Sequence, residues 1–299
     1  MIAHDRSRHP RRLVVIAALI GVLVLLIPVG LVERRLRPAR VPLTDDPEAH
    51  GLAVEVIAFP SLADGVTLRG WYLPAPRPSG RTIVISPGID ANREVDGITL
   101  ALAPALLSAG WDVLAFDLRG EGQSDGATQT FGWSERWDVL GAVAEARRRG
   151  AECVVGLGFS MGGAATIMAA AGSPTIDAVI ADSAYARLDA ALRHELEGNL
   201  HLPGPVASSV LWLFPILGGP DPAAVAPVER IRDLAQRPVL LIHGTEDRTV
   251  PLEACRELAR AGGANAVCWT VDGAGHTQAY RTDPAEYTAR ILDFLASVP

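Results

Sequence analysis

The chain has 299 residues, 49% of them hydrophobic, and a formal net charge of −7, enough apolar material for one large or two small folded domains and too much for a disordered chain. The charge is unevenly divided: residues 1–40 hold eight arginines against Asp5 and Glu33, a balance of +6, and the remainder carries −13. An acidic globular part speaks against a nucleic-acid partner.

Leu13 to Val32 is a run of 20 residues without a charge, long enough at about 1.5 Å per residue to cross a hydrocarbon core of about 30 Å. A cleaved signal peptide is the competing reading. The run is longer than an ordinary signal core, however, and no small-residue cleavage pattern follows before Glu33-Arg34-Arg35. An uncleaved, single-pass membrane anchor over residues 13–32 is therefore expected, behind a basic tail of residues 1–12. Residues 33–51, with three prolines and mixed charge, read as a linker, and residues 52–299 as the folded domain. Arg6, Arg8, Arg11 and Arg12 before the run are matched by Arg34, Arg35, Arg37 and Arg40 after it, so the positive-inside rule gives a tie. An extracytoplasmic domain is the expectation, with the helix 13–32 contributing nothing to its sheet, so that removal of residues 1–40 is expected to release a soluble, active domain.

From Leu52 the pattern becomes strand-like. Val54–Phe59 and Thr67–Leu73, joined across Ala63-Asp64-Gly65, predict an antiparallel hairpin at a sheet edge. Strands and helices then alternate. Strands are expected at Thr82–Ser86, Asp112–Phe116, 153–157, Ile176–Ala181, Pro238–His243 and Ala266–Val271. Helices are expected at Val95–Ala109, Glu135–Arg149, after residue 160, at Leu252–Ala261 and at Pro284–Ala296. Such alternation implies an α/β domain with a mostly parallel central sheet and helices on both faces. Residues 185–228 interrupt it. There Val206–Leu217 is apolar but crowded by prolines, which argues for a short helical cap and against a second membrane span. Leu211, Trp212, Leu213 and Phe214 of the cap either line a pocket for an apolar substrate or bury into the core.

The chemistry concentrates at Gly158-Phe159-Ser160-Met161-Gly162, a G-x-S-x-G elbow between a strand and a small-residue helix. A sharp turn there holds the Ser160 hydroxyl clear of the sheet, and the Met161 N–H at the helix start is free to face an anion. A serine hydroxyl needs a base, and the base an orienting acid, in the chain order serine, acid, histidine. His276, in a glycine-flanked loop after a strand, is the expected base; His243 is expected to shape the acid loop. Asp247, in the loop after the strand ending at His243, and Asp182, at the end of the next strand after the elbow, are the rival acids. The three cysteines, Cys153, Cys255 and Cys268, contain no C-x-x-C pair, so neither a zinc site nor a disulfide framework is expected. No H-E-x-x-H is present, and no metal or other cofactor is expected.

Phe116-Asp117-Leu118-Arg119-Gly120-Glu121-Gly122-Gln123-Ser124, the elbow, His243-Gly244-Thr245-Glu246-Asp247 and Gly273-Ala274-Gly275-His276 together resemble the signature blocks of the α/β-hydrolase superfamily over about residues 52–298. Within it the chain resembles membrane-anchored serine hydrolases related to monoacylglycerol lipases and the dipeptidyl-peptidase group. The resemblance implies the α/β-hydrolase fold and a triad of Ser160, Asp247 and His276. It also implies an oxyanion hole made by the N–H groups of Ile89 and Met161. Asp117 is implied to brace a loop. Ser86-Pro87-Gly88 stands where the family often has His-Pro-Gly or His-Gly, so support for the Ile89 loop must come from elsewhere; Asp90 is expected to turn to solvent or to Arg93. The implied activity is cleavage of a small-molecule carboxylic ester with a lipophilic acyl group. A peptidase or thioesterase with the same triad, and a non-catalytic binding protein on this fold, are the alternatives.

Overall fold

Runs such as Ile83-Val84-Ile85 present successive apolar side chains to opposite faces of a sheet, and a computed structural model, which describes residues 26–37 and 39–298, shows how both faces are covered. Among the described residues eight strands form one sheet: β1 Glu55–Pro60, β2 Thr67–Leu73, β3 Arg81–Ser86, β4 Trp111–Phe116, β5 Cys153–Phe159, β6 Ala178–Asp182, β7 Val239–Gly244 and β8 Ala266–Val271. Their order is β1-β2-β4-β3-β5-β6-β7-β8. β2 runs antiparallel to both neighbours and every other pair is parallel.

The helices are α1 (residues 26–36), α2 Ile98–Ser108, α3 Glu135–Arg148, α4 Met161–Gly172, α5 Leu188–Arg193, α6 Gly204–Ile216, α7 Pro227–Arg230, α8 Glu253–Gly262, α9 Ala279–Thr282 and α10 Pro284–Ala296. Val84, Leu114 and Val154 point to the face covered by α3, α4 and α8. Their neighbours Ile83, Ile85, Val113 and Val155 point to the face covered by α2 and α10. The sequence boundaries hold closely except at α2, expected from Val95 but beginning at Ile98. Val95, Asp96 and Gly97 have φ of 47°, 54° and 87°, a left-handed stretch no right-handed helix can include.

Strand order reverses between β3 and β5: the chain leaves β3 toward β4 on one side, and returns as β5 on the other. The two strands run in register to Ser86 beside Gly158. Their carboxyl ends, followed by Gly88-Ile89 and by Ser160, therefore diverge around a crevice, the position where open α/β sheets bind ligands.

Two expectations are revised, and a third lies largely outside the described residues. Most of the expected anchor over residues 13–32 lies outside the described residues, among which no helix is long and apolar enough to cross a membrane. Its last part is helical and continues into the expected linker, because Val32 and Leu36 are buried, at 0% and 1% exposure, in a cluster with Phe131, Leu192, Leu196, Val210 and Phe214. Residues 26–40 are thus not detached from the domain. Leu36 accepts the N–H of Gln129 at 2.8 Å, and the Arg40 guanidinium donates to the carbonyls of Glu121, Gly122, Ser124 and Gly126.

The cysteine expectation is corrected as well. Cys255 on α8 and Cys268 on β8 form a disulfide with Cα atoms 5.9 Å apart, leaving Cys153 free and buried. Helix and strand adjacent in the fold bring together two residues whose spacing of 13 signals nothing by itself. In the cap, α5 runs on into a π-type turn, His194–Asn199, before α6. The inner side of α6 buries Ala207, Val210 and Phe214, the last edge-on to Phe131 with centroids 5.6 Å apart, while Trp212 stays outside.

Candidate active site

Strand β5 ends in a turn that only its glycines permit. A Cβ on Gly158 would lie 2.3 Å from the Gly162 carbonyl oxygen, and one on Gly162 would lie 2.2 Å from that of Pro87, so strand, helix and the loop after β3 touch through bare backbone. Ser160 sits between them at φ 50° and ψ −115°, a conformation costly for a residue with a side chain. Its N–H is tied to the Asp182 carbonyl at 2.7 Å, and its Oγ lies 2.9 Å from His276 Nε2.

His276 Nδ1 lies 2.7 Å from Asp247 Oδ2. A carboxylate only accepts, so the ring proton belongs on Nδ1, which leaves the Nε2 lone pair facing the Ser160 hydroxyl. The other oxygen of Asp247 accepts the N–H groups of Thr249 and Val250, each at 2.9 Å. His243 supplies a further contact from β7. Its Nε2 faces both the Val250 carbonyl at 2.8 Å and Asp247 Oδ2 at 3.3 Å, two acceptors, so this nitrogen carries the proton. Burial alone would raise the Asp247 carboxyl, but hydrogen bonds from His243, His276 and the Val250 N–H outweigh it and hold the group well below the usual carboxylate range.

Asp182, the rival acid, is brought close but not into contact with the imidazole. Its carboxylate accepts from the Ser183 hydroxyl and the Tyr287 hydroxyl, both at 2.9 Å, and burial raises its pKa to about 6 against the pull of those bonds. Ser183 Oγ in turn accepts the N–H of Thr277 at 3.0 Å, so Asp182 supports the loop that carries His276. Glu246 is exposed.

The N–H groups of Ile89 and Met161 have no hydrogen-bond partner among the described residues. Gly88 passes so close to Ser160 that a Cβ there would lie 3.3 Å from the serine Cβ. The support left open by the missing histidine comes from two places. Ser86 Oγ lies 3.0 Å from Thr166 Oγ1 on α4. Glu121, 1% exposed, accepts the N–H groups of Asp90 at 2.9 Å and Ala91 at 2.7 Å, and the side-chain amide of Gln129 as well. Burial raises Glu121 to about 8, opposed by those backbone donors. Sequence reading passed over Glu121, although it lies inside the Arg119-Gly120-Glu121-Gly122 block. Asp90 is exposed, and Arg93 is not available to it: the Arg93 guanidinium is fully buried against Asp117, with Nη2 at 2.6 Å from Oδ2. Asp117 also accepts the N–H of Arg93 at 2.7 Å and that of Gln123 at 2.8 Å, clamping the two loops together.

Above Ser160 opens a cleft of about 220 Å³, with Phe131, Phe159, Tyr185, Leu188, Leu192 and Val250 among its walls. Arg35 and Glu195, which pair with each other, and Asp90 and Asp96 add charge to its lining. Residues 206–217 are absent from these walls, contrary to one of the two sequence readings. α6 lies one layer further out, its buried side already used against Phe131, Val32 and Leu36, and the apolar wall from the cap is α5.

The sequence model of the alpha/beta hydrolase family matches residues 83–290. YqkD of Bacillus subtilis (strain 168), an uncharacterized protein, is 27% identical over 241 residues, which cover 78% of this chain and 76% of that protein. The solved esterase Pf2001 of Pyrococcus furiosus superposes with a TM-score of 0.73 at 23% identity, over 87% of this chain and 99% of that one. Est1E of Butyrivibrio proteoclasticus, solved with ferulic acid bound, superposes with a TM-score of 0.64 at 20% identity, over 81% of this chain and 98% of that one.

Proposed function

The chain belongs to the α/β-hydrolase family, and from its site we propose that it is a serine hydrolase that cleaves carboxylic esters through an acyl-enzyme. The observation that carries this reading is the continuous relay from Ser160 Oγ through His276 to Asp247, with contacts of 2.9 Å and 2.7 Å. Ser160 Oγ attacks the ester carbonyl carbon as its proton passes to His276 Nε2. The new C–O bond places negative charge on the former carbonyl oxygen, which the N–H groups of Ile89 and Met161 receive. Asp247 stabilises the imidazolium and keeps its ring oriented. Collapse of the intermediate breaks the bond to the leaving oxygen, which takes the proton from Nε2 and departs as the alcohol. Water then repeats the sequence on the acyl-serine and releases the acid and free Ser160.

The apolar cleft walls favour a lipophilic acyl group, in line with the small aromatic acid that Est1E carries and the esterase name of Pf2001. Residues 13–32 are proposed to tether the enzyme to a membrane. The Cys255–Cys268 bond favours an extracytoplasmic domain, since disulfides persist in oxidising compartments and are rare in the cytosol. The test is labelling by a fluorophosphonate probe followed by turnover of p-nitrophenyl esters and aminoacyl-anilides. Stoichiometric labelling with ester turnover is expected. Failure to label identifies a non-catalytic binding protein, and faster anilide turnover identifies a peptidase.

A further inference from the structure

We propose that the face formed by the first turn of α1 and the outer side of α6 rests against the interface of a lipid bilayer. Trp212 and Ile216 on α6 are 68% and 56% exposed, and Leu26 and Ile27 on α1 are 60% and 46% exposed. Between the two helices Leu26, Val29, Val206 and Leu213 line an apolar groove of about 330 Å³. Contiguous apolar surface of this kind marks a place of interaction.

Three observations select lipid as its occupant. Residues 13–25, which lead directly into Leu26, contain no charged residue. An apolar run of the chain therefore joins the domain at the edge of the groove. Residues 198–220 likewise contain no Asp, Glu, Lys or Arg, so α6 carries no ion into an apolar phase, where each would be costly. Polarity then changes along α1 in the sense a bilayer requires. Leu26 and Ile27 are followed by the exposed Arg34, about 10–12 Å further along at 1.5 Å per residue, and by Arg37 just past the end of the helix, which pairs with Glu33 and stays 64% exposed. Arginines at that level meet lipid headgroups, and an exposed tryptophan beside an apolar face is the side chain that settles at a membrane interface. A second copy of the chain could cover an apolar face, but would leave this apolar-to-basic order without a purpose. Arg35 of the same helix lines the catalytic cleft, so α1 runs from the docked face to the cleft. The inference rests on the tethered reading above and adds to it which surface of the domain the membrane meets.

The test uses the full chain with Trp212→Cys or Ile216→Cys, each carrying a nitrobenzoxadiazole fluorophore, in vesicles of phosphatidylcholine and phosphatidylglycerol. Cys153 is buried and the other two cysteines are bonded, so the introduced thiol is the reactive one. Val56→Cys, at a position 76% exposed on the edge strand β1, serves as the control. At positions 212 and 216 the emission is expected to shift to the blue, to be quenched by nitroxide-bearing lipid and to be spared by aqueous iodide, with the reverse at 56. If the protein floats with the vesicles but iodide quenches 212 and 216 as strongly as 56, the docking surface is wrong and the tether stands. Shielding from both quenchers means that protein covers the face, and also overturns the proposal. Protein that does not float removes the tether and the docking surface together.

Discussion

The carboxylate of Glu121 accepts the backbone N–H of Ala91 at 2.7 Å, across the 30 residues that separate a loop after β4 from the loop after β3. Through the adjacent bond to Asp90 it fixes the backbone that immediately follows Ile89. Glu121→Ala leaves the N–H groups of Asp90 and Ala91 without their acceptor. The Ile89 N–H should drift from the place where the oxyanion forms, with a loss of roughly ten- to a hundredfold in kcat and little change in KM. Steady-state kinetics on p-nitrophenyl butyrate checks this; a rise in KM at constant kcat would show that Glu121 serves binding instead.

Ser160→Ala and His276→Ala should each abolish acyl-enzyme formation with unchanged melting curves. Asp247→Asn should lower kcat by about 10⁴-fold, because the amide favours the wrong imidazole tautomer. Asp182→Asn should keep most of the activity, since Asp182 meets Ser183 and Tyr287 and not His276. Reversal of the two aspartate results would exchange their roles.

Asp182 should instead leave its mark on stability. Burial raises its pKa from 3.8 in the unfolded chain to about 6 in the fold. Between those values the folded state holds a proton that the unfolded state has released. Stability from this group is therefore complete at low pH and lost as pH rises through about 6, a change of about 3 kcal/mol. Urea titrations at pH 4 and pH 7 should show that Asp182→Asn removes this downward contribution relative to the unmodified protein. An unchanged pH dependence would mean that Asp182 is ionised throughout.

The Cys255–Cys268 bond closes a short loop between α8 and β8. Cys268→Ser should cost about 3 kcal/mol of stability and lower Tm by roughly 5–10 °C. A reducing agent should lower the Tm of the unmodified protein by a similar amount and leave the variant unaffected.

Removal of residues 1–40 takes away Val32 and Leu36 from the cap cluster, Arg35 from the cleft and Arg40 from the loop that carries Glu121. The truncated protein should label with fluorophosphonate more slowly and melt lower than the full chain. Equal labelling rates would show that the domain from residue 41 is sufficient by itself.

Much of this molecule is written in local pattern. The continuous apolar runs at β3 and β5, the glycines around Ser160 and the order of strands and helices follow from propensity and turn chemistry that act within a few residues, and α10 begins and ends where its pattern does, at Pro284–Ala296. The same local logic nominated Ser160, His276 and two possible acids. Which acid meets the imidazole was decided by tertiary structure, because Asp182 at the end of β6 and Asp247 in the loop after β7 both stand at the carboxyl edge of the sheet: Tyr287 from α10 occupies one, and His276 reaches the other. The partnerships of Glu121 with Ala91, Arg35 with Glu195 and Cys255 with Cys268, and the withdrawal of α6 behind α5, likewise had no sequence signal. Each depends on the meeting of surfaces from separate elements. Those meetings are set by how the strand order folds the chain back on itself, and no window of neighbouring residues contains that information.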